Sequence, residues 1–388
     1  MLVLARGRFG SAPARVLQQV RRHEALTREE LVRLTGLSPA TVARTTTTLV
    51  DECLLRERPD LARPGAVGRP GVPLEIDPGR HSVLGVHVGK RVTTVGLVGL
   101  DGRVVAQSRF RTRGDLAELA ARAVRHANAL VAGSLERTVL AGGLVAPWDE
   151  VPYDEHELAA VLAERAGLEI GTANHVAAVA AAEYLGRRRT GDRCTAYVYV
   201  RETAGFALAN DLRDRTEISR VASLTHLPTG SDAGCGCGRS GCFVATAGDE
   251  AVARQAVELG IVDEPDVEWV LVAARAGDAA ADALLRRRAA VLGATTAVLR
   301  DMIAPDNVVL VGQAFTGYPP AVADIVAAFD AATTLSPMEL SITRFGTGVQ
   351  AAAAGTVALG TFYEDPLGLL DRPMSAAPVD ADLDSASC

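Results

Sequence analysis

Thr27-Arg28-Glu29-Glu30-Leu31-Val32-Arg33-Leu34-Thr35-Gly36-Leu37-Ser38-Pro39-Ala40-Thr41-Val42-Ala43-Arg44 is punctuated for two short helices around one tight turn. Thr27 and Glu30 stand at capping-box spacing, where the hydroxyl accepts the Glu30 N–H and the carboxylate accepts the Thr27 N–H. The helix opened there is expected to run to about Leu34. Gly36 supplies the turn, Ser38 the next N-cap and Pro39 the first helical position. The second helix is expected to reach about Glu52, with Val42, Leu49, Val50 and Cys53 turned inward. Two helices joined by a short Gly-containing turn make a helix-turn-helix.

The flanks extend this unit. Upstream, Val16, Leu17, Val20 and Leu26 recur at roughly helical spacing. Downstream, Leu54–Glu57 and Val72–Ile76 read as two strands around a Pro/Gly/Arg-rich tip, a wing that Asp77-Pro78-Gly79 closes. Residues 1–80 therefore read as a winged helix-turn-helix. They hold thirteen Arg, no Lys and nine acidic residues, in a chain whose net charge is −7. A basic segment on an acidic body suits a polyanionic partner.

On the second helix, Ala40, Arg44 and Thr47 lie opposite Val42 and Leu49, and Thr41 and Thr48 flank them. An Arg can fork onto guanine, a Thr can bond bases or phosphates, and an Ala can meet a thymine methyl. Arg69, between Gly68 and Pro70 at the wing tip, suits a narrow minor groove. Ser38, Ala40, Thr41, Arg44, Thr47, Thr48 and Arg69 are thus the expected contacts to a double-stranded DNA operator. Thr45 to Thr48 have poor helix propensity, so this helix needs packing or DNA to hold its form.

Beyond residue 81 the periodicity changes. Strands are expected at 82–88, 92–99, 103–110, 137–145, 168–173, 196–200, 204–209 and 307–311. Helices are expected at 115–131, 155–167, 175–187, 251–259 and 279–302. This alternation implies an α/β architecture. The stretch from Pro366 to Cys388, rich in Pro, Ala, Ser and Asp, reads as a disordered tail. No apolar run approaches a membrane span, and the N-terminus lacks a long apolar segment with a cleavage site. A cytoplasmic protein is expected.

Three of the six cysteines crowd into eight residues, Cys235-Gly236-Cys237-Gly238-Arg239-Ser240-Gly241-Cys242, nine residues after His226. In a cytosolic chain such a cluster points to metal before disulfide. Three thiolates and one imidazole match a closed tetrahedral zinc site, which is structural because no position is left for a reacting water. Cys53 and Cys194 read as small core residues, and Cys388 as a tail thiol.

The His226…Cys242 segment resembles the zinc motif of the ROK family (repressors, open reading frames and sugar kinases). The winged helix ending in Gly68-Arg69-Pro70 looks like the family's regulator branch. Leu84-Gly85-Val86-His87-Val88-Gly89 looks like its first phosphate hairpin, Ala173-Asn174-His175-Val176 its catalytic segment, and Asn307–Gly312 its late strand and Gly turn. The resemblance implies a two-lobed, actin-like, sugar-kinase-like domain over residues 81–365, with lobes dividing near 174 and rejoining near 330. It also implies a homodimer or homotetramer, and a small-molecule effector that is sugar-like, altered or absent.

Departures from the kinase pattern are as informative. The kinases carry Asp-x-Gly-x-Thr where this chain has His87-Val88-Gly89-Lys90-Arg91. Their Gly-rich second loop is replaced by Arg201-Glu202-Thr203-Ala204-Gly205-Phe206. Their catalytic Asp is His175, and two sugar-gripping carboxylates are Ser223 and Val244. The resemblance then implies a non-enzymatic DNA-binding regulator, a repressor, in which Asn174, His175 and Ser223 are candidate ligand contacts. The alternative is a ROK sugar kinase with an appended DNA-binding domain, and a third reading is a partner-binding module.

Overall fold

The computed structural model describes residues 2–5, 10–62, 71–134, 137–186, 194–211 and 215–370. The chain forms two compact units: Leu4–Arg188 with Gln350–Cys388, and Met1–Val3 with Arg189–Val349. The lobes thus divide at 188/189 and 349/350, later than the expected 174 and 330. The physical reason is that the helix after 174 belongs to the first sheet, while the segment after 330 stays with the second.

After a strand β1 (Leu2–Ala5), the first unit opens with α1 (Ala12–His23), β2 (Ala25–Leu26), α2 (Arg28–Thr35), α3 (Pro39–Asp51), β3 (Leu55–Glu57) and β4 (Leu74–Ile76). Both arms of the Thr27–Glu30 capping box form. Gly36 takes the left-handed conformation at φ 68° and returns its N–H to the Val32 carbonyl, a cap that favours a residue without Cβ. Ser38 caps α3 through the Thr41 N–H. The short strands pair in the order β2-β4-β3. Val16, Leu17, Val20, Leu31, Val42, Leu49, Leu55 and Leu74 form the core between helices and wing.

This unit continues through β5 (His81–Val88), β6 (Val92–Gly99), β7 (Val104–Arg111), α4 (Leu116–Ala132), β8 (Thr138–Ala146), α5 (Glu155–Ala166), β9 (Ile170–Asn174) and α6 (His175–Leu185). Its sheet has the order β7-β6-β5-β8-β9. β7, β6 and β5 are antiparallel, while β8 and β9 join in parallel. Leu84, Val86 and Val88 point to one face, where Leu119, Val124, Leu158 and Leu162 of α4 and α5 cover them. The alternate positions point to the other face.

The second unit holds β10 (Cys194–Val200), β11 (Ala204–Asp211), β12 (Arg215–Ser223), α7 (Phe243–Ala247), α8 (Asp249–Glu258), α9 (Val267–Arg275), α10 (Ala279–Ile303), β13 (Asn307–Val311), α11 (Gln313–Thr316), α12 (Val322–Ala332) and β14 (Ser341–Ile342). Its sheet runs β1-β12-β11-β10-β13-β14. Numbered within each unit, both sheets contain the same strand order, 3-2-1-4-5. The two units therefore repeat one topology, although no long internal repeat is visible in the sequence.

The chain returns to the first unit as α13 (Val349–Glu364). This helix crosses the open face of the first sheet on four glycines, one from each of four adjacent strands. A Cβ on Gly96 of β6 would come 2.5 Å from the Ala351 Cβ, and one on Gly85 of β5 would come 2.7 Å from the Gly355 N. On Gly143 of β8 it would come 2.7 Å from the Ala358 N, and on Gly171 of β9 3.1 Å from the Thr361 Oγ1. The helix backbone lies where side chains would otherwise stand.

Several expectations shift. β12, α9, α12 and α13 were not legible as elements. Cys53 and Cys194, expected in the core, are half-buried, and Cys53 ends α3 with φ 55°. The expected tail starts too early: residues 366–370 form turns, with Leu369 buried against Phe362 and Tyr363 in one core. Residues 371–388 lie outside the described residues, as do the wing tip at 63–70 and Arg69 with it. No helix among the described residues is long and apolar enough to cross a membrane.

Candidate nucleic-acid interface and metal centre

α3 is two-faced. Val42, Thr45, Thr46 and Leu49 are buried, whereas Ser38, Pro39, Ala40, Ala43, Arg44 and Thr47 are exposed. Thr41 and Thr48 are half-buried at the edges. The structure brings six of the seven expected DNA contacts onto one helix, and Ala43 adds a second exposed methyl. Ala43 falls beside Thr47 on the helical wheel, so sequence reasoning could have found it.

Hydroxyls of the threonine run bond back to the helix. Thr47 donates to the Ala43 carbonyl at 3.0 Å and Thr48 to the Arg44 carbonyl at 3.2 Å. Both spend their proton on the helix and keep lone pairs outward as acceptors. Thr46 donates to Ala43 and accepts Arg28 Nε at 3.0 Å. Arg28 also pairs with Glu57 of β3 at 3.0 Å, so one guanidinium ties α2, α3 and the wing together. Sequence reasoning missed this residue, although it is the first of α2, where cations are disfavoured by the helix dipole and a specific partner is therefore implied.

In the second unit, His226, Cys235, Cys237 and Cys242 converge, their ligand atoms all within 4.8 Å of one another. Cys235 Sγ lies 3.7 Å from His226 Nδ1, and Cys237 Sγ lies 3.7 Å from Cys242 Sγ. Ligands at zinc distances of about 2.3 Å for sulfur and about 2.0 Å for nitrogen stand roughly 3.5–3.8 Å apart in a tetrahedron. Two of the pairs stand at that spacing, and the four residues together could hold one metal ion.

The loop is shaped for this. Gly238 turns at φ 84° as its N–H bonds the Cys235 carbonyl. Gly241 turns at φ 71° against the Ser231 backbone. Cys242 is buried at the start of α7, whose Phe243 is fully buried. The Arg239 backbone N–H and side chain hold the Cys237 thiol down to about 6, whereas burial pushes Cys242 up to about 11. Behind the loop, Arg288 of α10 is buried and bonds Asp249 and the Ala247 carbonyl. This ties the α7–α8 corner to the body of the unit.

The two positions that the kinase pattern assigns to Asp are histidines, both in the first unit. His87 is the penultimate residue of β5 and His175 opens α6; both are buried, with ring centroids 6.1 Å apart and edge to face. Burial lowers His175 to about 4 against a bond with the Ala146 backbone, so the ring is neutral at neutral pH. Asn174 caps α6 by accepting the Val176 N–H at 2.9 Å. Ser223 lies on the other unit, exposed, and donates to Thr225 Oγ1. Lys90 pairs with Glu150 at 3.4 Å. Residues 201–203 form a tight hairpin between Val200 and Ala204, closed by the Arg201 N–H on the Thr203 carbonyl. Val244 is half-buried in α7.

Comparison with known proteins places these features. A profile of the ROK family matches residues 83–360. The chain is 36% identical to "Transcriptional regulator Rv0485" of Mycobacterium tuberculosis (strain ATCC 25618 / H37Rv), over 93% of this chain and 88% of that protein. It is 23% identical to the "DNA-binding transcriptional dual regulator NagC" of Escherichia coli (strain K12), over 77% and 80%. Among solved structures, a ROK family transcriptional regulator homologous to the E. coli MLC protein superposes with a TM-score of 0.68 at 21% identity, covering 94% of this chain and 97% of that one. A ROK family glucokinase from Streptomyces griseus, in complex with glucose and AMPPNP, superposes with 0.59 at 21% identity, covering 71% and 99%. The first of these folds spans the winged helix and both α/β units. The second leaves over a quarter of this chain uncovered.

Proposed function

The chain belongs to the ROK family, and from that premise we propose that it is a sequence-specific DNA-binding transcriptional regulator, acting as a repressor. The observation that carries this reading is the α3 face, which presents Arg44 among small and hydroxyl side chains on a well-capped helix. The relatives named as transcriptional regulators support it. Two copies on a two-fold site would set their recognition helices into successive major grooves. Arg69 is proposed to enter the adjoining minor groove, and the protein to act in the cytoplasm as a homodimer or homotetramer.

The metal we assign to His226, Cys235, Cys237 and Cys242 is a structural zinc, on the strength of a donor set of three sulfurs and one nitrogen at tetrahedral spacing. Four protein ligands leave no place for a reacting water, so the ion's role is to close the loop. Asn174 and His175 of the first unit and, taken separately, Ser223 of the second are each proposed as candidates for contact with a small-molecule effector. We propose no phosphoryl transfer. A kinase needs carboxylates to position metal and accept the hydroxyl proton, and His87 and His175 stand at those positions as buried rings. A coupled ADP-release assay across hexoses and aminosugars is expected to stay at background. Turnover that vanishes in His175→Ala would restore the kinase reading.

The regulator reading is tested by selecting genomic fragments bound by the purified protein and titrating variants on the recovered site. Arg44→Ala is expected to cost about 1–3 kcal/mol and to relax preference at one base position. Arg44 is exposed and its removal opens no cavity, so folding is expected to be unchanged. Equal affinity and equal base preference in the variant would show that α3 is not the reading element.

A further inference from the structure

The winged helix is joined to the first sheet by only four residues, Asp77–Arg80, between β4 and β5. The joint is braced from three sides. His81 Nε2 lies 2.9 Å from the Glu52 carbonyl at the C-terminus of α3. The Asp77 N–H bonds the Leu54 carbonyl at 3.0 Å. The third brace is Tyr363, in the last turn of α13 and buried. Its hydroxyl donates to the Leu100 carbonyl, beyond the end of β6, at 2.9 Å. Its ring carries the Arg21 guanidinium of α1, 4.6 Å from the centroid. Its own carbonyl accepts Gln18 Nε2 of α1 at 3.4 Å.

Apolar packing runs through the same place. Leu17 and Val20 of α1 belong to one continuous core with Val83, Val98, Leu100, Phe362 and Leu369. Burial pushes the Tyr363 hydroxyl up to about 12, so it remains a donor. A cation over an aromatic face gains most when partly desolvated, as Arg21 is here. α13 itself lies directly on the four-glycine track, so the brace stands on a closely packed helix.

We infer that Tyr363 is a positioning residue for DNA recognition, locking the winged helix to the first sheet so that α3 has one fixed setting. This rests on the DNA-regulator reading. A tethered reader could swivel to meet half-sites at many separations. A locked one meets them at a single separation, because the setting of α3 in each copy is decided by the rigid body that carries it. Tyr363 touches no DNA in this account; it acts through α1.

The experiment uses the full chain and a duplex library in which two copies of the selected half-site are separated by a varied number of base pairs. Wild-type protein is expected to favour one spacing, and a change of half a helical turn is expected to weaken binding. Tyr363→Ala should reduce that discrimination at least tenfold, with affinity for a single half-site within twofold of wild type. Tyr363→Phe keeps the ring under Arg21 and should stay within threefold of wild type in both readings. If Tyr363→Ala loses its metal or its cooperative unfolding, Arg21→Gln removes the same contact from the α1 side and is read in its place.

Spacing discrimination that survives both variants overturns the inference, as does an equal loss on single half-sites. A wild-type protein that binds its half-site but ignores spacing also overturns it, while leaving the regulator reading intact. A wild-type protein that enriches no sequence overturns both, and that result is read before any variant is made.

Discussion

Cys237→Ser is expected to strip the metal from the second unit and to loosen the segment from His226 to Ala247. The protein purified without added metal should carry about one zinc per chain, and the variant close to none. Cys237 is exposed, so the substitution opens no cavity and any loss of stability comes through the metal. Apart from its own hydrogen bonds, the loop has little apolar burial to hold it. Among the described residues from Gly230 to Gly241 there are five glycines, and only Gly241 is buried. Ordering such a segment costs about 1–2 kcal/mol per residue in backbone entropy. A structural zinc contributes on the order of 10 kcal/mol in small isolated sites, which is an upper bound for a loop already anchored by Cys242 and α7.

The measurement pairs elemental analysis with hydrogen exchange over residues 226–247 and thermal unfolding. Cys194→Ser serves as the control, since that thiol lies outside the cluster. A metal-free wild type, or a Cys237→Ser variant with unchanged exchange and unfolding, would remove the structural role from this centre. Because the ligands must be deprotonated to bind, zinc is expected to leave as the pH falls.

Gly143→Ala is expected to destabilise the first unit by about 3 kcal/mol or more, the upper end of what overpacking costs. The new methyl would collide with the Ala354 carbonyl and lie 2.7 Å from the Ala358 N. Both are backbone atoms of α13, so no rotamer change relieves the clash. The helix must lift, and it carries Phe362 and Tyr363 at its far end. Gly360→Ala, on the same helix, is the paired control. A Cβ there meets nothing within 4 Å, and the change should be neutral or stabilise by up to about 1 kcal/mol through helix propensity. Urea unfolding of both variants against wild type checks this. Equal stability of the two variants would mean that the glycine track does not carry α13.

The same contrast explains how much could be read from the chain. The capping box at Thr27, the left-handed turn at Gly36 and the Ser38-Pro39 start each depend on atoms within four residues. They fold as read, and their residue types leave few alternatives. The ligand set of the metal centre spans seventeen residues among glycines, short enough for spacing to imply convergence. Strands β6 and β13 form over the expected residues, each a short β-branched run followed by a Gly-containing turn. By contrast, α13 is apolar on every side. Its Ala-rich stretch shows no 3.6-residue alternation because every residue from 349 to 359 is buried.

By itself, then, the sequence determined the winged helix, the α3 face with Arg44, the α/β alternation and the four residues that converge in a cluster able to hold a metal. Each of these is encoded by local hydrogen bonds, local turns or short periodicity. Only the tertiary structure decided where the units divide, that both sheets repeat one strand order, and that α13 belongs to the first sheet. It also decided the surroundings of His87 and His175, residues far apart in sequence whose rings meet across β5 and α6. The physical reason is range. Gly85, Gly96, Gly143 and Gly171 carry no side chain and no periodic signal, and their shared purpose exists only when four strands lie side by side under one helix. Tyr363 likewise reads as an ordinary buried aromatic until α1, more than three hundred residues earlier, places Arg21 on its ring.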